Sequence, residues 1–210
     1  MDWLLFLSQL STHPSSLRVN VWRKLRAIGA LGLQNGVWVQ PKAPEPVKFL
    51  EDLLVTIQSQ GASGQIFSVS PFNEAIERDI LNRFRMDRDE KYAEFQERSQ
   101  ELIAEIKKET GKQKFTFAEL EETEQDLQRL ENWLEKIQKR DFMGGDNSRR
   151  AGETLEACRK AFEVFSSEVY DRQAILDCVA QMAADGLRVP AFAERALPVK
   201  TWIRKHLRAI

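Results

Sequence analysis

Arg18, Arg23, Lys24 and Arg26 fall within one short stretch, and no acidic residue occurs between Asp2 and Glu45. Arg18, Trp22 and Arg26 recur at every fourth position, so on a helix they share a face. Guanidinium groups beside an indole suit phosphate contact combined with stacking. Arg18, Trp22, Arg23, Lys24 and Arg26 are therefore the candidate nucleic-acid-binding residues. The plainer alternative is a solvated face with Trp22 half-buried against a sheet. A second basic pair, Arg149-Arg150, follows a glycine-rich turn just before a predicted helix. Backbone N–H groups at a helix start, together with arginines, would make an anion-binding site there. An ordinary loop is the alternative. The segment Lys200 to Arg208 is also basic, with no acid after Glu194. It reads either as a phosphate contact or as a charged helix docking through Trp202, Ile203 and Leu207.

Residues for catalysis or metal binding are scarce. His13 and His206 are the two histidines, and they stand near opposite ends of the chain. Cys158 and Cys178 lack the spacing of a metal or redox motif. No glycine-rich phosphate loop and no nucleophile elbow is present. The acidic run Glu119, Glu121, Glu122, Glu124 and Asp126 suits a helix start, where the macrodipole favours negative charge. The expectation is a protein without catalytic residues, metal or cofactor.

The elements that would position the first basic cluster can be read from periodicity. Trp3 to Ser8 is a continuous apolar run ahead of Ser11-Thr12-His13-Pro14, which predicts a buried central strand. Leu17, Val21, Leu25 and Ile28 give a helix capped at Ser15 or Ser16 and stopped by Gly29. Ala30–Leu33 and Val37–Gln40 flank Gln34-Asn35-Gly36, a strong hairpin signal. A single strand with a bulge at Gly36 is the alternative. After Pro41 and Pro44, Val47, Leu50, Leu54 and Ile57 predict a second helix, and Gln65–Val69 a fourth strand. The order βαββαβ predicts a ferredoxin-like domain over 1–72, in an α+β chain.

From Asn73 the period becomes helical throughout. Tyr92, Phe95, Leu102 and Ile106 form one stripe, with Ser99 in its gap. Leu120, Thr123, Leu127, Leu130, Leu134 and Ile137 form a heptad seam behind a capping box at Thr116 to Glu119. Leu155, Cys158, Phe162, Phe165 and Val169 repeat the pattern. Gly111 and Gly144-Gly145 separate the three segments. A bundle of long antiparallel helices is predicted over 73–185, followed by a basic C-terminal tail over 186–210.

The 31 basic and 32 acidic residues nearly cancel, for a formal charge of −1. Any nucleic-acid surface must therefore be local. Residues 1–72 hold six Lys/Arg against four Asp/Glu, whereas 73–143 hold fourteen against nineteen. No apolar run reaches the length of a membrane span, and Asp2 stands where a signal peptide carries Lys or Arg. A cytoplasmic protein is expected, with Cys158 a buried free thiol.

Several strings carry a family resemblance. Trp3-Leu4-Leu5-Phe6-Leu7, Pro14 to Val19, Val21-Trp22-Arg23-Lys24-Leu25-Arg26, Gly29-Ala30 and Leu33 to Pro41 resemble the opening of ChrB chromate-resistance regulators. Asp87 to Glu101, Ile137 to Phe142 and Phe165 to Tyr170 resemble the same family, so the likeness covers most of 1 to about 172. It implies a chromate-responsive transcription factor. The implied partners are DNA, chromate or another oxyanion, and a second copy of the chain in a homodimer. The opening is also similar to the ferredoxin-like domain of PaaX-type repressors and of a small CRISPR-adaptation endonuclease. Two departures stand out. Longer ChrB proteins carry a second domain, for which no room is expected after Tyr170. The endonuclease resemblance implies an acid at the end of the first strand, where this sequence reads Ser8-Gln9-Leu10-Ser11. Nuclease activity is therefore not expected, and a scaffold built on the heptad seams is the remaining alternative.

Overall fold

The computed structural model describes residues 1–10 and 15–185, which pack into two compact units. The first comprises Met1–Lys91 and Lys136–Gly145. The second comprises Tyr92–Glu135 and the described residues from Asp146 to Asp185. His13, His206 and the basic tail over 186–210 lie outside the described residues.

The first unit runs β1 (Trp3–Gln9), α1 (Ser16–Ala27), β2 (Leu31–Gln34), β3 (Val37–Pro41), α2 (Pro44–Ser59) and β4 (Ser63–Val69). The strands form one sheet in the order β2-β3-β1-β4, every neighbouring pair antiparallel. This is the ferredoxin-like arrangement. The Asn35-Gly36 signal gives a hairpin, with a register irregularity between Gly32 and Gln34 inside β2. Gly36 has φ of +74°, and a Cβ there would stand 2.3 Å from the Ser8 carbonyl oxygen. The Ser8 amide in turn donates to the Gly36 carbonyl at 2.7 Å. The end of β1 is thus occupied by backbone pairing.

Side-chain alternation along β1 sends residues to both faces of the sheet. Leu4 and Phe6 join Val21, Leu25, Leu50, Leu53 and Ile57 in the core under α1 and α2. Trp3 joins Leu31, Val39, Ile80 and Phe84 on the other face. Ile80 and Phe84 belong to α3 (Glu74–Gly111), whose first residues thus cover the sheet. Trp3 and Phe84 stack with centroids 5.7 Å apart, and Phe142 meets Phe84 edge-on at 5.1 Å. Arg83 donates to the Gly32 carbonyl at 2.8 Å and fastens α3 to the outer strand β2.

The second unit consists of the rest of α3, most of α4 (Phe117–Arg140) and α5 (Asp146–Ala184). The predicted stripes supply its core: Tyr92, Phe95, Leu102, Ile106, Leu120, Leu127, Leu130, Leu134, Leu155, Cys158, Phe165 and Val169 are buried, Thr123 and Phe162 are half-buried, and Ile137 belongs to the first unit. Consecutive helices run antiparallel. Phe95 packs on Trp133, and Arg159 of α5 donates to Glu131 of α4 at 2.7 Å. Ser99 is fully buried in its gap, and its carbonyl accepts the Cys158 thiol at 3.5 Å. Burial pushes the Cys158 thiol above its ordinary value, so it stays protonated. Thr116 Oγ1 accepts the Glu119 amide at 3.3 Å, which is one half of the capping box. The Glu119 carboxylate turns instead to Lys114. Among the described residues no helix is long and apolar enough to cross a membrane.

Phe84 is 1% exposed and Phe72 is 92% exposed. Phe84→Ala should lower unfolding free energy by about 3–5 kcal/mol, since it removes a ring from a closed aromatic cluster. Phe72→Ala should stay within about 0.5 kcal/mol of wild type. Urea denaturation of the two variants checks both values, and equal midpoints would show that α3 does not support the sheet.

Candidate anion and nucleic-acid interface

α1 owes its cationic face to its apolar spacing. With Val21 and Leu25 buried, the intervening positions turn outward. Arg18 and Arg23 are exposed and Lys24 is half-buried. Trp22 is 53% exposed, so much of the indole stands in solvent. The helix has no acid in its first turn, and Lys24 and Arg26 in its last. Cations in that last turn suit the macrodipole.

Arg26 is held from another element. Its Nη2 donates to Asp87 Oδ1 at 2.9 Å. The second oxygen, Asp87 Oδ2, lies 3.4 Å from Arg88 Nη2. Each carboxylate oxygen thus serves one arginine. Arg88 is 6% exposed, and its Nη2 also donates to the Gly29 carbonyl at 3.3 Å. That carbonyl lies just past the end of α1, where carbonyl groups lack helical partners. A Cβ on Gly29 would stand 3.0 Å from both Arg88 Nη2 and Arg140 Cβ, so these side chains need a glycine there. Burial pushes the Arg88 pKa down; Asp87 and, more weakly, Asp141 oppose that shift, while Arg140 and Arg26 add to it. A guanidinium starts high enough to remain charged at neutral pH.

These residues line a solvent-open cavity of about 220 Å³ within the first unit. Arg23, Arg26, Arg88, Lys91 and Arg140 line it, with Asp87 the one carboxylate and Trp22 and Ala27 completing the wall. Three of the five residues expected from the sequence, Trp22, Arg23 and Arg26, meet here. Arg18 and Lys24 are on the same helix but outside the lining. Arg88, Lys91 and Arg140 escaped the sequence reading. Arg88 does carry a signal: it follows Ile80 and Phe84 at steps of four, so a charge interrupts a buried stripe.

The second basic pair sits differently. Arg149 and Arg150 lie in the second unit, as the fourth and fifth residues of α5 and not ahead of it. Both are exposed. Arg149 donates to Glu153 at 2.6 Å and to Asp146 at 3.3 Å, so its guanidinium is bracketed by carboxylates of its own helix. Among the described residues no group of three or more His, Cys, Asp or Glu could hold a metal.

Comparison with known proteins bears on this geometry. The family described as Protein ChrB, N-terminal, matches residues 18–175. Protein ChrB of Cupriavidus metallidurans is 30% identical over 93 residues, which is 44% of this chain and 28% of that protein. The chain thus aligns with less than a third of that relative's length. No solved structure matches.

Asp87 neutralises two arginines, one of them buried. Asp87→Asn keeps the shape and an acceptor oxygen but removes the charge. It should fold, with unfolding free energy lower by about 1–3 kcal/mol. Denaturant midpoints against wild type read this, and an unchanged midpoint would show that the shared carboxylate contributes nothing to the packing of α3 on α1.

Proposed function

The chain belongs to the ChrB family, and from that premise we propose that it is a non-enzymatic regulator of the chromate-resistance type, binding DNA through α1. The observation that carries this reading is the face bearing Arg18, Trp22 and Arg23: exposed, cationic and free of any acid along the helix. Phosphate contact is what such a face does best. Lys24 and Arg26 extend it, although Arg26 is tied to Asp87 and contributes through its remaining donors. In this reading chromate or another oxyanion is the small-molecule partner, and the protein acts in the cytoplasm. A homodimer would match the two-fold symmetry of an operator, and its contact belongs to the helical region. Trp133 is a weak candidate for that contact, because it packs on Phe95 of the same chain.

The test is the salt dependence of duplex binding. Arg18→Ala combined with Arg23→Ala leaves the buried Val21 and Leu25 stripe and the Arg26–Asp87 pair intact. DNA affinity should fall, and the slope of log affinity against log salt should shrink by about two. Light scattering on the same samples should give a dimer. Equal affinity of mutant and wild type in an electrophoretic shift assay removes α1 from the DNA surface, and a wild-type monomer at micromolar concentration removes the dimer.

A further inference from the structure

The cavity beside α1 is more than a continuation of the helix face. Its lining combines residues from three separate segments: Arg23 and Arg26 from α1, Arg88 and Lys91 from α3, and Arg140 from the end of α4. Five cationic side chains meet one carboxylate, and both oxygens of that carboxylate are already engaged by Arg26 and Arg88. Asp141, next to Arg140, is not in the lining, but its charge also acts on Arg88, and it accepts the amides of Met143 and Gly144 at 3.2 and 3.0 Å. The four arginines of the lining outnumber the carboxylates Asp87 and Asp141, so positive charge is in excess in a partly desolvated setting, where charge–charge repulsion is poorly screened. Arg88 adds a second observation. Its Nε is buried and has no hydrogen-bond partner, although its Nη2 serves Asp87 and Gly29. That Nε is closed to a water-sized group, so an anion in the cavity would meet Arg88 through its Nη groups and relieve a buried charge that is short of acceptors.

We infer that this cavity is a binding site for a tetrahedral oxyanion group of the phosphate or sulfate class, clamped by Arg26, Arg88 and Arg140. The guanidinium fork matches two oxygens of such a group, and the match is better than for a spherical halide. Size points the same way. A cavity of about 220 Å³ is smaller than the roughly 300–1,000 Å³ of drug-sized ligand sites, so it suits one small anion or one group of a larger chain. Asp87 then acts as an internal counter-anion. It holds Arg26 and Arg88 together when the site is empty and competes with the incoming group for them. The group can arrive as a free ion or as a backbone phosphate of nucleic acid. Only the second source rests on the DNA-binding reading of α1.

The experiment uses the full chain with sodium phosphate and sodium sulfate as probes, at ionic strength held constant with chloride, followed by calorimetry. A labelled DNA duplex is tested in parallel. Phosphate and sulfate should bind the wild type. Arg140→Gln, at a half-buried position, should weaken that binding about tenfold, as expected for one charge-assisted bond. Asp87→Asn should tighten it by a similar factor, because the competing charge is gone. A carboxylate with a purely structural role would weaken binding instead. Free-anion binding with these two shifts and no DNA binding supports the site and removes the DNA reading. DNA affinity that follows the same two shifts, with no free-anion binding, supports the site with a backbone phosphate as its ligand. No anion binding above chloride, together with DNA affinity indifferent to both substitutions, overturns the site and leaves the α1 face standing alone.

Discussion

β1 lies between β3 and β4 and is buried on both of its faces, and the rest of the first unit follows from that constraint. A strand in this position needs apolar cover above and below. α1 and α2 supply one layer over Leu4 and Phe6. The other face, carrying Trp3, would be left to solvent by a two-helix domain alone. The start of α3 closes it with Ile80 and Phe84, and Phe142 returns from the end of α4 to finish the aromatic cluster. The demand for a second cover also brings Asp87 and Arg88 beside the end of α1, one turn beyond Phe84. Packing that serves β1 thus delivers the groups that line the cavity.

This explains which parts were legible in the sequence. Local signals worked wherever the cause was local. The 17, 21, 25, 28 spacing gave α1 its buried stripe, Asn35-Gly36 gave the hairpin, and the three helical stripes gave the core of the second unit. Ser15 shows a limit even here: it sits at the start of α1 but makes no side-chain cap, and its carbonyl accepts the Val19 amide. Partners chosen through tertiary packing were not legible. Arg26 meets Asp87 across 61 residues, and Arg88 meets Gly29 across 59. No spacing rule reaches that far. The change of period at Asn73 identified a helix, but not that its first three turns would finish the sheet domain's core.

The second unit has its own regularity. Gln96 accepts from Thr154, Ser99 from Cys158 and Gln113 from Arg172, at sequence offsets of 58, 59 and 59. A nearly constant offset means that α3 and α5 run parallel in a fixed register, with α4 antiparallel to both. The steps of three and four along each stripe hold this register, because a slip would bring Ser99 out of the small space it fills against Cys158. Polar contacts at the far end, where Arg172 stacks over Phe115 at 4.7 Å, fix the same alignment through a different kind of interaction.

Charge is the last link between fold and function. The chain as a whole carries −1, and the segment from Asn73 to Met143 is acidic. Bulk electrostatics therefore gives no attraction for a polyanion, and the middle region opposes one. The fold works against this composition by sorting. Acidic residues such as Glu109 and Glu119 are consumed locally by Lys108, Lys112 and Lys114. The arginines of three distant segments are gathered around one cavity instead. Screening in salt water fades bulk repulsion over roughly 8–10 Å, whereas a partly buried cluster keeps its field. The proposed anion site would act at contact distance and needs no basic protein around it.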